Sequence, residues 1–117
     1  MLHERITPAY LAGFFDGEGT FYIGKQFKGD KEYPHASVML SQSGEDGLAL
    51  LTAVQAAFGG KIYQHLKVGQ HKATKNAYKI YWNRVEAIRL IQCLLPYLIL
   101  KENAAKEVLT YLTRNDV

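Results

Sequence analysis

One cysteine, one tryptophan, two methionines and three prolines are all that this chain of 117 residues has of those types. A single thiol, Cys93, excludes a disulfide framework and a thiolate metal cluster within the chain, and it reads as a small core hydrophobe on a helix. Long apolar runs are missing too. The longest, Ile91 to Leu100, is interrupted by Gln92 and Pro96, which excludes a membrane-spanning helix. The first residues, Met1 to Arg5, carry no apolar leader, and together with the lone thiol they point to a reducing intracellular compartment, whether cytoplasm or organelle. The four histidines show no metal-ligand spacing: His65 and His71 lie six apart. Acidic residues are absent from Lys61 to Val85, a stretch that holds six basic ones. Tyr63, His65, His71, Tyr78, Tyr81 and Trp82 are interleaved with them. A one-sided basic surface with aromatic and hydrogen-bonding groups suits a polyanion such as nucleic acid.

Nearly half of the residues are apolar, enough for one buried core, and the length fits a single domain over residues 1–117. Thr7 as N-cap and Pro8 at the first position predict a short helix from Pro8 to Asp16. From Phe21 to Phe27, Phe21, Ile23 and Phe27 fall on one face of a strand, and Thr20, Tyr22, Gln26 and Lys28 on the other. Gly29-Asp30 reads as a turn, and a second strand runs from His35 to Gln42. Ser41 or Ser43 caps a helix through Leu48, Leu51, Val54 and Phe58 that stops at Gly59-Gly60. Ile62, Leu66 and Val68 are candidate core residues of a third strand. In a fourth, Tyr78, Ile80 and Trp82 alternate with Ala77, Lys79 and Tyr81, with the inner face undecided. Asn83 caps a helix to Leu95, ended by Pro96, and a last helix covers Lys101 to Thr113. The order αββαββ followed by two helices predicts an α+β fold: an antiparallel sheet with helices on one face. The other face is then polar, aromatic, basic and concave. A strand of about ten residues spans roughly 33 Å, close to one turn of duplex DNA, about ten base pairs, and its alternate side chains can read base edges.

The stretch L-A-G-F-F-D-G-E-G, Leu11 to Gly19, sets Asp16 and Glu18 among glycines at the end of an apolar helix. Gly13 and Gly17 each cost roughly 1 kcal/mol against alanine inside a helix, which close packing against a second helix can offset. Only one such segment is present, so the partner is the same helix of another copy. This predicts a symmetric homodimer with Leu11, Ala12, Gly13, Phe15 and Gly17 at the interface. Two Glu18 carboxylates then approach the two-fold axis. Like charges so close call for a cation between them, and carboxylates with helix-end carbonyls are hard oxygen ligands for Mg²⁺, with Ca²⁺ or Mn²⁺ as substitutes.

With its following strand, this stretch closely resembles the motif of the LAGLIDADG homing endonuclease family, single-motif homodimeric type, and the resemblance covers nearly the whole chain. It implies a homodimeric, site-specific endonuclease that cuts both strands of a long pseudopalindromic duplex. Each subunit lays its sheet into the major groove, and cleavage falls across the central minor groove. Glu18 takes the position of the family's metal ligand, usually joined by the carbonyl of the preceding residue, here Gly17. Asp16 takes the earlier acidic position, more often structural than catalytic. Gln42 falls where similar enzymes order water, and Lys101 where they carry a lysine near the scissile phosphate. Some relatives carry an arginine shortly after that glutamine. This chain has Gly44, Glu45, Asp46 and Gly47 there, which leaves Lys25 or Lys61 as a substitute cation. Two half-sites of about ten base pairs make a site of roughly twenty. DNA contacts are expected from Tyr22, Gln26, Lys28, His35, Ser37, Met39, Lys61, Tyr63, His65, Lys67, Lys75, Lys79 and Tyr81. The rivals are a non-catalytic nucleic-acid binder on the same fold, such as an RNA maturase, and a small interaction domain that only dimerises.

Overall fold

Thr7 opens the first helix as its spacing predicts: its hydroxyl oxygen accepts from the Tyr10 amide at 3.1 Å, and Pro8 sits in the first turn. In the computed structural model, which describes residues 1–114, this helix, α1, spans Pro8–Glu18. Residues 115–117, the end of the expected domain, lie outside the described residues. Gly19 leads directly into β1, Gly19–Lys28, which turns at Gly29 and Asp30 into β2, Lys31–Ser43. Then follow α2 (Gly44–Phe58), β3 (Lys61–Leu66), β4 (Ala77–Tyr81), α3 (Arg84–Leu94) and α4 (Glu102–Thr113). A 3₁₀ turn at Leu95–Tyr97, begun by Pro96, separates the last two helices. Ser43 and Asn83 stand at the N-cap positions of α2 and α3, but neither side chain makes the capping hydrogen bond.

The four strands form one antiparallel sheet in the order β1-β2-β4-β3. The fold is the expected α+β arrangement. Its register settles the inner face of β4. Leu40 lies opposite both Gly19 and Ile80, and Ile80 opposite Ile62, so Ile80 points to the helices together with Phe21 and Val38. At the centre, Phe15 stacks on Phe21 with ring centroids 4.7 Å apart, and Trp82 meets Phe15 at 5.7 Å. The Trp82 indole donates to the Phe58 carbonyl at 3.1 Å, which satisfies its one polar atom inside the core.

Several sequence expectations change. The last two strands in the chain are short, six residues in β3 and five in β4, so only the β1–β2 hairpin has the expected length. Phe27 follows the alternation, but the hairpin runs out beyond the helices and leaves it 67% exposed. Val68 falls past the end of β3 and is exposed, and Cys93 lies on the outer side of α3 rather than in the core. The largest correction concerns α1. Leu11, Ala12 and Phe15, expected at a dimer interface, are fully buried in this chain's own core. They turn towards the sheet because Phe15 and Leu11, four apart, form the stripe that meets Phe21 and Trp82. The open side of α1 carries Tyr10, Gly13, Phe14 and Gly17 instead.

Candidate functional site

Directly opposed residues of an antiparallel pair point to the same side of the sheet. The register therefore writes the uncovered face row by row. One row runs Thr20, Met39, Tyr81 and Lys61, and the next runs Ser41, Lys79 and Tyr63. Outward along the hairpin come Tyr22 with Ser37, Gly24 with His35, Gln26 with Tyr33, and Lys28 with Lys31. Each of these side chains is exposed or half-exposed. Tyr22, Gln26, Lys28, His35, Ser37, Met39, Lys61, Tyr63, Lys79 and Tyr81 thus share the one surface on which the sequence reading placed them. Tyr33 and Lys31 join them; they were missed because β2 begins four residues before the predicted start.

Tyr63 packs edge-on against Tyr81 at 5.7 Å and meets His65 at 6.5 Å. A register shift between Gln64 and Leu66 leaves His65 without a ladder partner. Burial, and then the charge of Lys79, hold the His65 imidazole below its ordinary value. A neutral imidazole offers one donor and one acceptor, the pairing needed to read a base edge.

Lys67 and Lys75 lie in the loop between β3 and β4. The Asn76 side chain accepts from the Val68 amide at 2.9 Å, and its backbone carbonyl accepts from the Gly44 amide at 2.8 Å. This ties the loop to the β2–α2 junction. Lys75 then lies across Gly44, its Cδ 3.3 Å from where a Cβ would stand. Of the two cations named as substitutes, Lys25 is paired with Glu32 at 2.9 Å in the hairpin's outer half. Lys61 stands on the outermost strand, opposite Tyr81. The cation beside the junction is Lys75.

Gln42 is the last residue but one of β2, at the same end of the sheet as Glu18 and on the helix-side row opposite Tyr78. Gly47, in the first turn of α2, is buried against it: a Cβ there would stand 2.9 Å from the Gln42 Cβ and 3.2 Å from its backbone carbon. The missing side chain is what lets the helix start so close to the strand.

At the end of α1 the motif residues separate by role. Glu18 is exposed, and among the described residues it forms no ion pair. Asp16 faces the other way. Its Oδ2 accepts from the Ile99 amide and its Oδ1 from the Lys101 amide, both at 2.9 Å. The Lys101 ammonium turns back to donate to the Gly19 carbonyl. Lys101 and Asp16, 85 positions apart in the chain, are thus brought to one end of α1. The donor set fits a hard cation only in part. One free carboxylate stands beside helix-end carbonyls such as that of Gly17, which the helix leaves without partners. No group of three metal-ligating side chains occurs among the described residues.

On the open side of α1, a Cβ built on Gly13 or Gly17 meets nothing within 4 Å. Tyr10 is half exposed there. Close by in the fold, the segment after Pro96 presents Tyr97, Ile99 and Leu100 to solvent. An apolar surface crossed by two glycines is the shape that a second helix needs for close approach.

The family model for LAGLIDADG endonuclease matches residues 11–113. The chain is similar in fold to the homing endonuclease I-CvuI, crystallised with the I-CreI target in the presence of Mg with its DNA not cleaved. That likeness has a TM-score of 0.73 at 25% identity, over 96% of this chain and 69% of that one. The homing endonuclease I-TnaI gives a TM-score of 0.71 at 21% identity, over 92% and 71% of the two chains. An archaeal intron-encoded homing endonuclease, I-Vdi141I in complex with DNA, gives 0.68 at 21%, over 90% and 65%. This chain therefore spans about two thirds of the length of these neighbours. No curated protein matches it.

Proposed function

The chain belongs to the LAGLIDADG endonuclease family, and on that premise we propose that it is a homodimeric, site-specific endonuclease cutting both strands of a long pseudopalindromic duplex. The observation that carries this reading is one juxtaposition. The Lys101 ammonium donates to the carbonyl of Gly19, the residue that follows the exposed Glu18, at the end of α1 where the basic, aromatic sheet face begins. The DNA complexes among the structural neighbours support a duplex as the ligand.

In this reading each sheet lies along the major groove of one half-site, with β1 and β2 reaching outward and the row of Thr20, Met39, Tyr81 and Lys61 nearer the centre. Lysines 28, 31, 61 and 79 meet phosphates, while Tyr22, Gln26, His35, Ser37, Met39, Tyr63 and His65 face base edges. The second copy docks on the open side of α1, over Gly13 and Gly17 and against Tyr10, Phe14, Ile99 and Leu100. Docking brings the two Glu18 carboxylates together and completes a donor set that one chain only half supplies.

Glu18 and the Gly17 carbonyl would hold Mg²⁺, for which Ca²⁺ or Mn²⁺ can stand in. A divalent ion there supplies charge neutralisation at the scissile phosphate and a more acidic water. Lys101 offsets the charge that develops on the phosphorus oxygens during attack. Gln42 orders water at the end of β2. Lys75 adds positive charge at the β2–α2 junction, where Glu45 and Asp46 supply none.

The test is incubation with a randomised duplex library in Mg²⁺, sequencing both retained and cut molecules. Cut ends sharing a two-fold-related site establish the activity. Enrichment without cutting leaves a DNA binder, and neither outcome on duplex but retention of structured RNA favours the maturase reading.

A further inference from the structure

Asp16 spends both carboxylate oxygens on the backbone of a segment more than eighty residues away. Oδ2 accepts from the Ile99 amide and Oδ1 from the Lys101 amide, each at 2.9 Å. Charge-assisted bonds from one rigid carboxylate to two amides fix a segment's direction as well as its place. The same segment is anchored from below by Leu98, which is buried in the core. At Lys101 the chain enters α4, and the Lys101 carbonyl accepts from the Ala105 amide at 2.9 Å. The Lys101 side chain then returns to the Gly19 carbonyl. The link is closed in both directions: carboxylate to the lysine's backbone, ammonium to the motif's backbone. A lysine on a free loop would spread its charge over many rotamers of a four-carbon stem.

We propose that Asp16 is a positioning residue for DNA cleavage. Its carboxylate clamps the Ile99–Lys101 segment to the end of α1, and this clamp holds the Lys101 ammonium at the Gly19 carbonyl, next in the chain to Glu18. Asp16 acts through Lys101 and touches neither the phosphate nor the metal. The inference rests on the reading of Lys101 as the phosphate-facing cation, and the experiment separates the two.

The experiment is a double-mutant cycle on the full chain with Asp16→Asn, Lys101→Met and both together. It reads the single-turnover cleavage rate at saturating protein, the DNA dissociation constant and the thermal midpoint. Asparagine keeps one acceptor and turns a donor towards the second amide, so one of the two bonds is lost. Asp16→Asn should slow cleavage about ten-fold or more with little change in DNA affinity. In the Lys101→Met background the same change should alter the rate by less than about two-fold. Equal fold losses in both backgrounds would overturn the clamp while leaving the reading of Lys101 intact. Undiminished cleavage by Lys101→Met would overturn that reading, and the proposal with it. Where Asp16→Asn fails to fold, amide hydrogen exchange of the unaltered protein decides. Slow exchange at both Ile99 and Lys101 is expected, and exchange at unfolded-chain rates at both would contradict the clamp.

Discussion

Phe15 and Gly13 are two residues apart on one helix and meet opposite surroundings. Phe15 is sealed between Phe21 and Trp82, whereas Gly13 opens on space. Phe15→Ala should lower stability by about 3–5 kcal/mol, measured by urea unfolding, since the cavity lies in a fully buried cluster. The motif revealed the helix end and its two acids to a reader of the sequence. It did not reveal which side of the helix was inside. Tyr10, Leu11, Ala12, Phe14 and Phe15 make α1 apolar nearly all round, so periodicity alone cannot choose a face. Only the partners of Phe15, drawn from β1 and from the residue after β4, make that choice. The resemblance had already set Asp16 apart from Glu18 as the structural acid; what it could not name were the Asp16 partners, amides too distant in sequence to be foreseen.

Among the elements, β2 and its junction with α2 carry the most consequence. Gly47→Ala would place a methyl 2.9 Å from the Gln42 Cβ, so either the helix start or the strand end must shift. The expected cost is about 1–3 kcal/mol in urea unfolding, and a wild-type midpoint would contradict the close approach. The strand alternation was legible from side chains alone, which is why most of the exposed face could be listed in advance. Strand lengths were not. β4 ends at Tyr81 because Trp82 turns into the core, and β3 loses register near His65. On that edge, burial first and Lys79 second keep the His65 imidazole below its ordinary value of 6.5. The native state therefore binds this proton more weakly than the unfolded chain does. Its effect on stability is neutral above pH 6.5, and stability is lost as pH falls from there through the lowered value. Lys79→Met should raise the His65 titration midpoint seen by nuclear magnetic resonance. An unchanged midpoint would remove Lys79 from the cause.

At the scale of the whole molecule, the proposed function makes one chain the reader of one half-site, with half of a metal site. The α+β order and the bare sheet face were readable from the sequence, because helix and strand periods alternate cleanly and basic residues gather in one acid-free stretch. The proposed dimer surface was readable only as a pair of glycines; the structure buries Leu11 and Phe15 and leaves Tyr10, Phe14, Ile99 and Leu100 as the apolar residues on that side. Gly13→Leu meets no atom of its own chain within 4 Å of the new Cβ, so the fold should survive it. Sedimentation should then find a monomer, with DNA affinity reduced; a dimer with unchanged affinity would refute self-association through this helix.

The most direct measurement compares the unaltered protein with Glu18→Gln on the duplex site recovered from the library, in Mg²⁺, reading binding and cleavage in the same reactions. Both proteins should bind with affinities within a few-fold of each other, and only the unaltered one should cut, on both strands about the two-fold axis. Cutting by Glu18→Gln at the normal rate, or binding without cutting by the unaltered protein, would contradict the assignment of Glu18 to a metal-dependent endonuclease site.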